Sequence, residues 1–276
     1  MSDRKQVQAA KAEQFRRQHH SGRLLLLPNI WDALGARLIA RMGYPSVATA
    51  SASIALANGY ADGEHIPFHE LLVIVGNITF AVDLPLTVDI ERGYATTDVQ
   101  LAENIRLLLD QGAVGINIED SNPDRRNLAS IRDQCRKIEL IREAGLQYGV
   151  PIVINARTDA YLADKGENAF KTALERGIAY KNAGADCIYP VLIGSYEEIE
   201  SFIDQVKAPV NVLLIKSIAD LQQLEHIGVS RVSLGPALLS HVLTTMKDLT
   251  EGLLSGESKD WFSRELLSRD FLDSLL

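Results

Sequence analysis

The sequence predicts an α/β protein built as one (β/α)8 barrel with an extra C-terminal helix, and three observations carry that expectation. Eight short apolar runs recur along the 276 residues, longer amphipathic segments lie between them, and glycine closes several of those segments just before the next run. The runs cover residues 24–27, 46–50, 84–90, 115–118, 152–155, 187–191, 210–215 and 231–234. They are continuously apolar instead of alternating, as expected for parallel strands buried on both faces. Between them, residues 101–111, 131–148, 169–182 and 196–206 space apolar side chains three and four apart, which marks one face of a helix. Gln111-Gly-Ala, Asn182-Ala-Gly-Ala-Asp and His226-Ile-Gly-Val each end a helical segment and lead into the next strand. A doubly wound open sheet is the alternative, but no glycine-rich dinucleotide turn follows any strand.

Residues 1–23 read as a polar, helix-prone extension, 24–252 as the barrel, and 253–276 as an amphipathic helix. The apolar stripe of that last segment, Trp261, Phe262, Leu266, Leu267, Phe271 and Leu275, would pack on this barrel or on a partner subunit. With 46% hydrophobic and 23% charged residues, the chain is neither disordered nor fibrous in composition. A net charge of −8 without basic clusters argues against nucleic acid or anionic lipid as partner, so any anionic ligand must be met locally. Two cysteines, Cys135 and Cys187, fit neither a disulfide framework nor a thiolate zinc site. The run 24–27 is too short for a signal peptide core or a membrane span, and a cytoplasmic protein is expected.

In such barrels the site is built where the strands end. The third run finishes in Asp89-Ile-Glu91, and the two-residue period of a strand would point both carboxylates one way while Val88 and Ile90 enter the packing. The next two strands end in Glu119-Asp120 and Arg157-Thr-Asp159. Asp89, Glu91 and Glu119 at one mouth would repel one another without a cation, and their oxygens suit Mg2+; ion pairs with Arg92 or Arg157 are the alternative. Arg157 offers a planar two-pronged donor for a carboxylate or phosphonate, against a purely structural salt bridge to Asp159 or Glu119. The small residues of Thr49-Ala-Ser-Ala-Ser53 let backbone N–H groups approach an anionic oxygen, or simply pack a helix closely. Asp62, in the polar loop Gly59-Tyr-Ala-Asp-Gly-Glu64, is either a base above the mouth or a solvated turn residue. The six histidines lack metal-ligand spacing, with His65 alone near the expected mouth, and no serine sits in a nucleophile elbow.

These residues, with Pro28-Asn-Ile-Trp-Asp-Ala-Leu-Gly-Ala-Arg37, Ala48-Thr-Ala-Ser51, Val88-Asp-Ile-Glu-Arg-Gly-Tyr94, Ile118-Glu-Asp120 and Asn155-Ala-Arg-Thr-Asp159, resemble the phosphoenolpyruvate mutase/isocitrate lyase superfamily. The likeness runs from Leu24 to His241. It implies a (β/α)8 barrel, Mg2+ with Mn2+ as a substitute, a small anionic 2-oxo acid or enolpyruvate-type substrate, and a homo-oligomer, dimer or tetramer, whose C-terminal helix is swapped between subunits. Position by position, it implies Asp89 as the direct metal ligand, with Glu91 and Glu119 holding metal-bound waters. Arg157 takes the place of the arginine that grips the substrate carboxylate, the backbone around Thr49, Ala50 and Ser51 that of the oxyanion cradle, and Asp62 that of the mobile-loop aspartate.

Three departures mark a divergent branch. Glu91 stands where the mutase pattern has aspartate. Ser121-Asn-Pro-Asp-Arg-Arg-Asn127 replaces the Lys-(Lys/Arg)-Cys-Gly-His gate of the lyases and also lacks the Lys, Thr, Asn and Ser pattern of the mutase gate. Near Val191 there is neither the lyase glutamate nor the mutase histidine. The expected activity is making, cleaving or rearranging a C–C or P–C bond beside a 2-oxo carboxylate, through an enolate or enolpyruvate, as in a phosphonomutase. An oxaloacetate decarboxylase or a methylisocitrate- or dimethylmalate-type lyase is the enzymatic alternative, and a non-catalytic dicarboxylate binder the alternative from another class.

Overall fold

A computed structural model of the chain describes residues 3–122, 127–164, 166, 168–256, 258 and 265–276. From the N-terminus its elements are α1 (Asp3–His19), β1 (Leu25–Leu27), β2 (Asn29–Ile30), α2 (Ala33–Arg41), β3 (Val47–Thr49), α3 (Ser51–Ala57), α4 (Phe68–Ala81) and β4 (Leu86–Asp89). There follow α5 (Asp98–Asp110), β5 (Gly115–Glu119), α6 (Ile131–Tyr148), β6 (Val153–Thr158), α7 (Ala160–Ala163), α8 (Asn168–Asn182), β7 (Cys187–Pro190) and α9 (Tyr196–Val206). The chain ends through β8 (Asn211–Leu213), α10 (Leu221–His226), β9 (Arg231–Ser233), α11 (Ala237–Leu254) and α12 (Arg269–Asp273).

Each of the eight apolar runs overlaps a strand, with β5 and β6 running past their expected ends to Glu119 and Thr158, and the first run continues past Pro28 as β2. Strands β2 to β7 pair in chain order and β1 pairs with β9, which pairs with β8, all in parallel. A parallel bridge between Ile188 and Val210 joins β7 to the approach of β8. Because β1 and β2 are successive parts of one bent strand, the two sheets close into a barrel with eight strand positions. Pro28 sits at the bend, where a residue without an N–H is tolerated. Closure removes the open edges that a doubly wound sheet would keep.

The strands carry almost no exposed side chains, and Ile116, Ile118, Ile154, Val153, Ile188 and Val232 are wholly buried. Gly112, Gly184 and Gly228 have φ of +96°, +105° and +90°, so each helix-to-strand turn singled out in the sequence uses the left-handed conformation that glycine adopts without strain. Helix α1 lies across the N-terminal mouth. Gln8 donates through its Nε2 to the carbonyls of Leu109 and Ala113, both at 2.8 Å, and Phe15 sits so close to Gly115 that a Cβ there would come within 2.9 Å of its ring. Arg16 bonds Asp186 at 2.8 Å and the Pro151 carbonyl at 2.9 Å. With that end sealed, the opposite mouth is left for a ligand.

The C-terminal region differs from expectation. The helix expected over 253–276 is not one element: α11 begins at Ala237 and stops at Leu254, where Gly256 turns the chain with φ of +82°, and α12 is a separate short helix. Trp261 and Phe262 lie outside the described residues. Leu266 and Leu267 are exposed, whereas Leu275 is buried, and Arg37 on α2 donates to the carbonyls of Leu275, at 2.7 Å, and Leu276. The last turn therefore packs on the chain's own barrel.

Candidate active site

The site starts with the residue that leaves β3. Thr49 ends that strand, and its hydroxyl oxygen accepts the backbone N–H of Asp89 at 2.9 Å, fastening β3 to the end of β4. Ala50 is the extended residue before α3. Ser51, first in that helix, donates both its N–H and its hydroxyl to Oδ2 of Asp89, at 3.1 and 2.7 Å. Asn117 on β5 donates to Oδ1 at 2.8 Å, and Asn155 on β6 in turn donates to Asn117 at 2.9 Å. An amide relay thus crosses three neighbouring strands and orients one carboxylate.

Glu91 reaches the mouth by a turn and not by the pleat. Strand β4 stops at Asp89, and Glu91 adopts φ of +49°, so the expected alternation does not extend to it. Its Oε1 accepts the N–H of Glu64 at 2.7 Å and the hydroxyl of Tyr94 at 3.2 Å. Glu64 pairs with Arg92 at 2.7 Å, contrary to the alternative in which Arg92 neutralises Glu91. Burial first, then the negative charges of Asp89, Asp62 and Glu119, push the Glu91 carboxyl up to about 7. Glu119 is buried at the end of β5, accepts from the Ser121 hydroxyl at 2.6 Å, and pairs with Arg157 at 3.0 Å. Its pKa is raised by burial, against the pull of Arg157.

Arg157 on β6 holds Asp159 with two prongs, Nε at 2.5 Å and Nη2 at 3.1 Å, and faces Glu119 through Nη1. Burial opposes its charge, but Glu119 and Asp159 outweigh that and raise its pKa. Behind it, Asp120 is fully buried and accepts from Arg176 at 2.9 Å, from Tyr180 at 2.6 Å and from the Asp159 N–H at 2.8 Å. The guanidinium is therefore braced before any ligand arrives.

Thr49, Ala50, Ser51, Asp62, Asp89 and Arg157 line one cavity of about 250 Å3 at the C-terminal mouth, below the 300 to 1,000 Å3 of a drug-sized site. The cavity suits a small molecule. Glu91 and Glu119 stand behind its wall. Among the described residues no three His, Cys, Asp or Glu side chains group closely enough to ligate an ion directly, so the three acids are not a direct three-carboxylate site. The donors still fit a hard cation that keeps much of its water: the Asp89 and Asp62 carboxylates face the cavity, the Glu91 and Glu119 oxygens stand behind them, and like charge accumulates around Glu91. His65 stands beside Asp62, its Nδ1 3.2 Å from the Asp62 carbonyl oxygen. Cys187 is buried, its thiol pushed up to about 12 by burial, and Cys135 is half-buried. The central gate residues 123–126 lie outside the described residues.

Sequence reasoning missed the cavity's inner polar residues: Asn29, Asn117, Tyr189, Arg231 and Ser233. The signal was present. Asn117 and Asn211 interrupt apolar runs, Asn155 ends one and Asn29 follows one after Pro28, and asparagine is disfavoured in buried strands unless its amide has work there.

Fold and site together define a (β/α)8-barrel protein with acid and arginine side chains gathered at the C-terminal mouth. The family model for phosphoenolpyruvate phosphomutase matches residues 15–254. A 2-methylisocitrate lyase of Aeropyrum pernix is 31% identical over 194 residues, covering 68% of this chain and 60% of the lyase. An uncharacterised protein of Mycobacterium tuberculosis is 28% identical over 87% of this chain and 88% of its own length. Among solved structures, a Burkholderia cenocepacia J2315 protein with the provisional name phosphonomutase superposes with a TM-score of 0.84 at 35% identity, covering 87% of this chain and 99% of that one. Phosphonopyruvate hydrolase, solved with oxalate and Mg2+, gives a TM-score of 0.81 at 22% identity, over 96% of this chain and 94% of that one. The chain belongs to the phosphoenolpyruvate mutase/isocitrate lyase superfamily and is an enzyme of it. No described helix is long and apolar enough to cross a membrane.

Proposed function

We propose that this chain is a Mg2+-dependent enzyme that makes, cleaves or rearranges a C–C or P–C bond beside a 2-oxo carboxylate, through an enolate or enolpyruvate, in the manner of a phosphonomutase. The observation that carries this reading is the convergence of Asp89, Asp62 and Arg157 on one small cavity whose wall also holds the start of α3. Asp89 would hold Mg2+ directly, or Mn2+ in its place, with Glu91 and Glu119 receiving its waters. The chemistry the ion supplies there is Lewis-acid polarisation of an oxo oxygen.

The protein's own groups divide the remaining work. Arg157, held by Asp159 and Glu119, presents the outer edge of its guanidinium to a substrate carboxylate and fixes the reacting bond in the cavity. The start of α3 lies in the cavity wall, where the Ser51 N–H and hydroxyl are given to Asp89 and so hold the metal-side carboxylate in place. Asp62, on the loop over the mouth, is placed to take or hold a proton at the substrate carbon. No thiol lines the cavity among the described residues, which favours a phosphonomutase or decarboxylase over a lyase using a cysteine acid. The protein is expected to act in the cytoplasm as a dimer or tetramer. Val242, Leu243 and Met246, exposed on α11, give that helix an apolar face for a second subunit.

The test is incubation of the purified protein with Mg2+ and phosphonopyruvate, oxaloacetate, methylisocitrate or dimethylmalate, followed by pyruvate release and phosphorus NMR. Turnover of phosphonopyruvate or oxaloacetate supports the reading. Binding of these acids without any product favours the dicarboxylate binder.

A further inference from the structure

Arg231 is the anomaly of the site. It lies in β9, is 2% exposed, and lines the cavity opposite the metal-side residues. Its Nε donates to the Ser233 hydroxyl at 3.3 Å, but its Nη1 is buried without a hydrogen-bond partner. Arg176, also buried, has Asp120 at 2.9 Å, and Arg157 has Glu119 and Asp159. No carboxylate lies within ion-pair distance of Arg231 among the described residues. The groups acting on it are Cys187 and Tyr189 of β7, both neutral at pH 7 because burial raises their pKa values, and Asp89 of β4, which is already held by Ser51 and Asn117. From below, His19 of α1 is buried and neutral. A buried guanidinium is unfavourable unless paired, and a cavity wall is the place where a ligand can supply the missing partner.

We propose that Arg231 is a second anion anchor, binding the far negatively charged group of a compact dianionic 2-oxo acid whose oxo-carboxylate end lies between Asp89 and Arg157. The proposal rests on the function proposed above and adds a substrate class to it: acids with a terminal anion are preferred over monoanions of similar size. The far group is a tetrahedral phosphonate or a planar carboxylate, and an arginine edge can grip either with two N–H donors. Ser233, tied to Asn211 at 3.1 Å, steadies the Nε side and leaves the Nη edge toward the cavity.

The experiment measures Mg2+-supported binding of pyruvate, oxaloacetate and phosphonopyruvate by calorimetry to the wild type, Arg231→Met and Arg231→Lys, with thermal melting of each ligand-free protein. The wild type should bind oxaloacetate or phosphonopyruvate about tenfold to a hundredfold more tightly than pyruvate, the range of one charge-assisted contact. Arg231→Met should erase that preference while pyruvate binding stays within about twofold, and Arg231→Lys should keep part of it. Because the charge lacks a partner without ligand, Arg231→Met should melt at or above the wild-type temperature, opposite to an arginine that holds the fold together. An undiminished preference in Arg231→Met, or an equal loss for pyruvate and both dianions, overturns the proposal. Inorganic phosphate and malonate without metal separate the two readings. If no 2-oxo acid binds but these anions bind through Arg231, the proposed function fails and the anchor stands; anion binding that ignores Arg231 removes the anchor.

Discussion

Ser51 gives both its backbone N–H and its hydroxyl to one oxygen of Asp89, at 3.1 and 2.7 Å, while Asn117 holds the other oxygen at 2.8 Å. The carboxylate is oriented before any ligand arrives, so ligand binding need not meet the entropy of fixing its rotamer. Asp89 is a strand-end group serving the cavity and not the core. Asp89→Ala is expected to abolish Mg2+ binding and activity while the circular dichroism spectrum and cooperative melt persist. Calorimetric Mg2+ titration checks this, and wild-type affinity in the variant would sink the metal assignment.

The eight barrel strands were readable because parallel strands buried on both faces leave a continuous apolar trace, and the glycine-closed turns separated them. The grouping of Asp89, Arg157, Asp62 and Thr49-Ala-Ser51 on one cavity was readable for a related reason: all lie at the C-terminal ends of such strands or in the segments that leave them. Other features had weaker traces. The orientation of Glu91 depends on a left-handed turn that begins one residue before it, and strand alternation says nothing past a strand's end. Arg231 opens an apolar run and so reads as the solvated end of a strand, although α1 seals that end of the barrel. The C-terminal apolar stripe keeps helical spacing, but residues 265–268 are not helical and Ser268 caps a new short helix, a break that apolar spacing alone does not show.

Asp120, Arg176 and Tyr180 form a closed buried network beneath the site, joined to it by the Asp159 N–H. Arg176→Met leaves the Asp120 charge buried with neutral donors only. That should lower the unfolding free energy by about 3–5 kcal/mol, the usual effect of breaking a buried pair from one side. Denaturant titration measures the loss, and Arg176→Met combined with Asp120→Asn should recover much of it because no bare charge remains. A double variant no more stable than the single one would show that packing, and not charge, is responsible.

His19 closes the sealed end with its Nδ1 2.9 Å from the Phe15 carbonyl oxygen and its ring edge against Phe15, at 4.7 Å between centroids. Burial first, then the charge of Arg231, lowers its pKa from 6.5 to about 3. The unfolded chain therefore takes up a proton below pH 6.5 that the folded chain refuses until about pH 3. Stability from this group is complete above 6.5 and is lost as pH falls through that window, with a limiting slope of about 1.4 kcal/mol per pH unit. His19→Gln lacks this dependence. Denaturation midpoints of both proteins between pH 4 and 7 should converge toward acid; parallel curves would refute the buried neutral histidine.

Arg157→Lys tests whether the braced guanidinium serves substrate or fold. The wild-type side chain meets Asp159 with two prongs and Glu119 with a third nitrogen, a geometry that a single ammonium cannot reproduce. Some loss of melting temperature is therefore expected in either case. If the outer edge of Arg157 also grips a substrate carboxylate, kcat/KM for whichever 2-oxo acid the wild type turns over should fall tenfold to a hundredfold, through a raised KM, corresponding to about 1.5–3 kcal/mol for a charge-assisted contact. Kinetics on the folded fraction, measured at a temperature well below both melting transitions, separate the two effects. A lowered melting temperature with wild-type kcat/KM would assign Arg157 to the fold alone and leave the substrate carboxylate to another donor.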